Sequence, residues 1–284
     1  MKERVNVSLV QFASAHLDRE TNARRMAEFV VAEGSEHDAD LVVFPELAST
    51  GYVDPHPDAD FAKKLYEQSE PIPGPTTAAL AEAARAGRTH VIAGISELHP
   101  RIPHVLLNAA VLIDDGGNLV GVQRKVHACL AEKNYYGEGP SIDVFDTALG
   151  RIGINVCYDA RFPEVARVQA LQGAEIIVSI WASAVQGDKV PVRSIQERAA
   201  TRAMENALFY LGCNRSGVEG SRRFYGRSAV AAPSGDLVAV SETDEEEVLR
   251  AELAAEAIAA QRAYLTIFRD RRPELYGPLL APLS

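Results

Sequence analysis

The chain has 284 residues, with 29 Lys and Arg against 39 Asp and Glu, a formal charge of −10, 47% hydrophobic and 24% charged residues. This composition excludes intrinsic disorder, and its acidity disfavours nucleic acid and anionic membranes in the absence of a local basic patch, which the sequence lacks. Three cysteines (Cys129, Cys157 and Cys213) are too few for a disulfide framework, and the odd count leaves at least one free thiol, as expected in a reducing compartment.

Lys2 and Arg4 ahead of an apolar run, with Ala13-Ser14-Ala15 beyond it, have the outline of a secretory signal. Val5 to Phe12, however, alternates apolar and polar residues, the period of a half-buried strand. No charge-free apolar stretch approaches the roughly 18 residues that span a bilayer, so a cytoplasmic protein is expected.

In chain order, the first half reads as strand 5–13, helix 19–34, strand 40–46, a loop, helix 76–87 and strand 89–97. A hairpin follows, 108–113 returning as 118–122 around Asp114-Asp115-Gly116-Gly117. The second half repeats that order: strand 151–157, helix 163–172, strand 175–182, helix 191–206, strand 207–213, then a hairpin of 228–232 and 237–240. Pro163 suits a first helical position and Gly173 the residue past the end. The run Asp244-Glu245-Glu246-Glu247 reads as a solvated loop or helix start.

Helices on one face of each sheet leave the other face apolar, and packing the two sheets together buries both. The expected fold is therefore α/β, a four-layer α-β-β-α sandwich with two pseudo-symmetric halves. No Pro/Gly/Ser-rich linker interrupts 140–150, so residues 1–284 are expected to form a single domain, with 265–284 as a C-terminal tail.

Three reactive side chains sit where apolar strands end. Glu46 follows Leu41-Val42-Val43-Phe44-Pro45, and ligands of open sheets commonly bind beyond strand carboxyl ends. Lys125 ends the returning hairpin strand. Cys157 ends the run from Ile152 at a strand-to-helix elbow, where helix-terminal amides and cations can stabilise a thiolate, whereas Cys129 and Cys213 read as inert core thiols. Attack on an amide carbon needs a nucleophile, a base and a cationic donor for the developing oxyanion, and Cys157, Glu46 and Lys125 supply them. Pairing Cys157 with His127 is the competing arrangement, but no Asn or Asp is clearly placed to orient the imidazole. Zinc is disfavoured, since no Cys-x2-Cys or His-x3-His pair exists.

Phe44-Pro45-Glu46, Arg124-Lys125-Val126-His127 and Cys157-Tyr158-Asp159-Ala160-Arg161-Phe162-Pro163-Glu164 together resemble the three catalytic blocks of the carbon–nitrogen hydrolase (nitrilase) superfamily, in order. The resemblance covers about residues 5–276, including Asn214-Arg215-Ser216-Gly217 and Arg271-Arg272-Pro273-Glu274-Leu275-Tyr276. It implies the same sandwich, Glu46 as general base and acid, Lys125 as oxyanion stabiliser, Cys157 as nucleophile, Glu132 as an additional carboxylate and the Tyr158 N–H as a second oxyanion donor. It also implies no cofactor or metal, a small-molecule amide substrate, and a homodimer or higher homo-oligomer.

Tyr158-Asp159 after the cysteine, where true nitrilases typically carry Trp-Glu, favours amides over nitriles, with an N-carbamoyl amidohydrolase as the alternative; a nitrilase or an idle interaction module ranks lower. Gln123 and Ala128-Cys129 depart from the family pattern and put specificity, more than chemistry, in question. Arg161 is a candidate for a substrate carboxylate or a partner of Glu164. Trp181 either lines the acyl pocket or packs in the core.

Overall fold

In the computed structural model, which describes residues 1–53, 58–185 and 194–281, two β-sheets pack face to face with helices outside. The first half runs β1 (Arg4–Val10), α1 (Arg19–Glu36), β2 (Leu41–Val43), α2 (Ala59–Gln68), α3 (Pro75–Gly87), β3 (His90–Leu98), β4 (Leu106–Ile113), β5 (Leu119–Arg124) and a short β6 (Tyr136–Gly137). The second runs β7 (Val144–Thr147), β8 (Gly150–Val156), α4 (Pro163–Leu171), β9 (Ile176–Trp181), α5 (Ser194–Asn206) and β10 (Phe209–Asn214). It continues through a minor hairpin, β11 (Val218–Glu219) and β12 (Arg222–Arg223), to β13 (Ala229–Ala231) and β14 (Leu237–Val240). β15 (Val248–Ala254) and α6 (Ala255–Tyr264) follow.

The sheet orders are β15-β1-β2-β3-β4-β5 and β14-β13-β10-β9-β8-β7, with β6 beside β4. Each has three central parallel strands, β1-β2-β3 or β8-β9-β10. An antiparallel hairpin follows on one side and a single antiparallel strand, β15 or β7, stands on the other. The pseudo-symmetry is thus one of strand direction as well as element order.

Side-chain alternation assigns the layers. Val5, Val7, Leu9 and Val43 share the inter-sheet core with Ile152, Ile154, Val178, Ile180 and Leu211. On the outer face of the first sheet, Val42, Val91 and Val111 meet Met26 and Val30 of α1 and Leu80 of α3. On the outer face of the second, Ile177 and Tyr210 meet Ala166 of α4 and Ile195, Ala199 and Ala203 of α5. Each fully buried aliphatic side chain of Val, Ile or Leu size contributes about 1.5–3 kcal/mol, so the four-layer arrangement rests on these three apolar clusters.

Several expectations shift. The first strand ends at Val10 and the second at Val43, so Glu46 stands in a turn beyond the strand. The expected loop after it contains α2, which buries Phe61 and Leu65, four residues apart on one helical face. β15 was also not anticipated; it is anchored to β1 along seven register pairs, and its Arg250 pairs with both oxygens of Glu33 at 2.7 Å.

The acidic run is not simply solvated. Glu246 accepts the Ala13 N–H at 2.8 Å and is gripped by Arg25 at 2.6 and 2.8 Å. The start of helix 191–206 falls at 191–193, outside the described residues, and the helix is described from Ser194. Residues 265–281 follow α6 as a tail with two short turns of 3-10 helix, and 282–284 lie outside the described residues. Among the described residues, no helix is long and apolar enough to cross a membrane.

Candidate active site

The turn carrying Glu46 lies directly on β3. The Gly94 N–H donates to Pro45 O at 3.2 Å, and a Cβ on Gly94 would come within 2.4 Å of Leu47 N and 2.5 Å of Pro45 O. Glycine is required there so that the carboxylate can be held down against the sheet. Glu46 is fully buried and accepts from Asn108 Nδ2 of β4 at 2.7 Å and from Lys125 Nζ at 2.6 Å. Lys125 follows β5, and its N–H donates to Asn108 O at 2.8 Å, so one β4 residue positions both partners.

Glu132, in a 3-10 turn over Leu130–Asn134, completes the unit. The Lys125 ammonium reaches its two oxygens at 2.8 and 2.6 Å, and the Tyr52 hydroxyl donates to Oε1. Burial alone would discharge Lys125, but Glu46 and Glu132 on either side hold it well above the usual lysine range. Burial and the neighbouring Glu46 raise the Glu132 carboxyl, while Lys125 and Tyr52 oppose the rise.

Cys157 opens a 3-10 turn over Cys157–Arg161 immediately after β8, at φ 49°. The left-handed conformation costs a non-glycine residue about 1–3 kcal/mol. Asp159, 1% exposed, fastens this elbow. Its carboxylate accepts from the backbone N–H groups of His127 at 2.9 Å, Val126 at 3.3 Å and Val156 at 3.3 Å. The thiol elbow and the chain leaving Lys125 are thereby tied together. Asp159→Ala leaves these amides without acceptors and should destabilise the protein by about 2 kcal/mol or more, read as a lower urea midpoint; an unchanged midpoint would refute this role.

The structure corrects three sequence readings here. Asp159 also hydrogen-bonds His127 Nδ1 at 2.9 Å, so an orienting carboxylate for the imidazole does exist, although His127 stacks on Phe162 at 3.9 Å and no hydrogen bond joins it to Cys157 among the described residues. Cys157 is not a pre-stabilised thiolate: burial, then Glu46, push its thiol well above the usual range, and Lys125 opposes this only in part. Cys129 is a half-buried wall residue of the cavity, not a core thiol, whereas Cys213 is fully buried as expected. Of the two readings of Arg161, the pairing with Glu164 is not found among the described residues.

Cys157 lies in a cavity of about 410 Å³, together with Tyr52, Tyr158, Arg161, Trp181 and Arg222. Trp181, 2% exposed at the end of β9, does both things considered for it: it lines this cavity and packs into the α4–α5 core. Arg161 is exposed at the same cavity. A larger groove of about 1010 Å³ between α1 and α3 contains none of these groups.

Asn108, Tyr52 and Asp159 were not singled out as functional in the sequence. A lone Asn inside the apolar run of β4 was the available signal for the first. The Thr50-Gly51-Tyr52 turn, with Gly51 at φ 82°, was a weak one for the second.

A buried carboxylate–ammonium–carboxylate unit thus stands beside a cavity-lining thiol on an α-β-β-α sandwich. The chain belongs to the carbon–nitrogen hydrolase family, whose model matches residues 6–263. It is 30% identical to a probable nitrilase of Schizosaccharomyces pombe (98% of this chain, 100% of the relative) and 31% identical to an N-carbamoylputrescine amidase of Solanum lycopersicum (97% and 95%). Among solved structures it resembles a carbon-nitrogen hydrolase from Helicobacter pylori G27, with TM-score 0.87, 26% identity and 99% of both chains covered. It also resembles a variant of the amidase from Nesterenkonia sp. AN1, with TM-score 0.81, 25% identity and 98% of both chains covered; that variant carries the acetamide moiety of fluoroacetamide covalently added at its active site cysteine.

Proposed function

We propose that this protein hydrolyses the non-peptide C–N bond of a small linear amide through a thioester on Cys157. The observation that carries the reading is the Lys125 ammonium clamped between Glu46 and Glu132 beside the Cys157 cavity. Glu46 takes the thiol proton as sulfur attacks the amide carbon, and the Lys125 ammonium and the Tyr158 N–H stabilise the oxyanion. Glu46 returns the proton to the departing nitrogen, the C–N bond breaks, and ammonia or an amine leaves. Water, deprotonated by Glu46, then attacks the thioester carbon; the C–S bond breaks, Glu46 returns the proton to the Cys157 sulfur, and the acid is released. Burial and Glu46 push the resting thiol up, which suits activation by this proton transfer.

The Nesterenkonia neighbour's modified cysteine supports the nucleophile, and Tyr158-Asp159 supports amides over nitriles. An N-carbamoyl amidohydrolase is the second reading, supported by the Solanum lycopersicum relative. A screen of ω-amides, N-carbamoyl amino acids and aliphatic amides separates them: ammonia alone marks the amidase, and ammonia with carbon dioxide marks the carbamoyl class. Neither gas from any compound overturns both.

Arg161 carries the substrate end of this reading. Its guanidinium, unpaired among the described residues, and the absence of any Asp or Glu from the described cavity wall suit an amide whose far end is a carboxylate. Arg161→Ala should raise KM for such an amide about tenfold, or about 1.4 kcal/mol, with kcat nearly unchanged. An unchanged KM would remove the carboxylate contact. Free cysteines support a reducing, cytoplasmic compartment, and exposed Tyr264, Leu279 and Leu280 on α6 and the tail support homo-oligomer formation.

A further inference from the structure

We infer that Tyr52 is a positioning residue of this site, whose hydroxyl fixes Glu132 so that the Lys125 ammonium stays aimed at the reacting carbonyl. The inference rests on the amidase reading of the site. Tyr52 stands six residues beyond Glu46 in sequence, and its ring lines the cavity that contains Cys157. Its hydroxyl donates to Glu132 Oε1, the oxygen that also receives Lys125 Nζ at 2.8 Å. That hydrogen bond therefore acts on the lysine through the carboxylate.

The ring is held independently of the hydroxyl. Phe224 meets it edge-on at 6.2 Å, and the Arg222 guanidinium lies 5.1 Å from its centroid. Its backbone N–H donates to Glu219 at 2.9 Å, and Glu219 pairs with the fully buried Arg215, which lies 4.2 Å over Phe224. Gly51 passes so close that a Cβ would come 2.5 Å from Glu219 Oε1. A phenylalanine would satisfy all of this packing, so the structural role and the hydroxyl's role can be separated.

Charged and titratable groups around Glu132 are Glu46, Lys125 and Tyr52 in its immediate network, with Cys129, Tyr136 and Cys157 nearby. The Tyr52 phenol is itself pushed well above its usual range, first by burial and then by Glu132, so it remains a donor. Without the hydroxyl, Glu132 loses a hydrogen bond that favours its ionised form and takes up a proton at higher pH.

The test is Tyr52→Phe, with alkylation of Cys157 by iodoacetamide followed by intact mass. In that reaction the C–S bond forms, iodide leaves, and Glu46 takes the thiol proton. The maximal labelling rate should fall about tenfold, the size expected for one hydrogen bond to a charged group. Half-saturation should change less than about twofold, and the acid limb should move to higher pH with thermal stability unchanged. A maximal rate and acid limb equal to the unsubstituted protein's would overturn the inference alone, as would a slower rate with an unmoved limb. If iodoacetamide labels Cys157 at no pH and the screen yields no ammonia from the unsubstituted protein, the amidase reading fails and takes the inference with it.

Discussion

Lys125→Met should both abolish turnover and destabilise the fold by about 3–5 kcal/mol, the range for removing one partner of a buried ion pair. Glu46 and Glu132 are both fully buried, and Lys125 is the cation bonded to each of them. Methionine fills most of the lysine stem, so the loss reports charge and not a cavity. Two carboxylates facing one another favour a shared proton, which raises the folded-state affinity of the pair above that of the unfolded chain. The variant should therefore regain stability as pH falls below the ordinary carboxylate range and lose it as pH rises. Urea midpoints at acid and neutral pH measure this. A variant as stable as the parent at neutral pH, or one relieved by alkali, would contradict the arrangement. Losing an oxyanion donor alone is expected to cost about 10²–10³ in rate.

Cys157→Ala should lower ammonia release by about 10³-fold or more, since no other group forms the thioester. The protein should remain folded, because alanine fits the small elbow and Cys157 contributes only part of its surface to the α4–α5 core. Cys129→Ala is the control: it lines the same cavity but stands outside the Glu46–Lys125–Glu132 unit, and activity should survive its loss. Iodoacetamide should label Cys157 slowly near neutral pH and faster as pH rises past the usual thiol range, given the raised thiol. Slow labelling near neutral pH consequently does not mark an idle interaction module.

Glu46, Lys125 and Cys157 were legible because each is a polar residue ending an apolar strand, a local signal that survives without coordinates. Glu132 was visible only through family resemblance, since a carboxylate in a short turn has no periodic signature. Asn108 looked like the start of a hairpin strand, yet it fixes both Glu46 and Lys125 across the sheet. Tyr52 is held by Glu219, 167 residues away, a contact that no sequence spacing encodes. The fold shows the same division. Repeated strand and helix periods gave the two halves, whereas β15, defined by its pairing with β1, needed the tertiary structure to become visible.

The decisive observation is the intact mass of the protein quenched in acid while it turns over an amide identified by ammonia release. The account predicts a species heavier by the substrate less ammonia, located on Cys157, absent from Cys157→Ala and lost when substrate is exhausted. Turnover with Cys157 unmodified and retained in Cys157→Ala, or an acyl group located on Cys129, would contradict it.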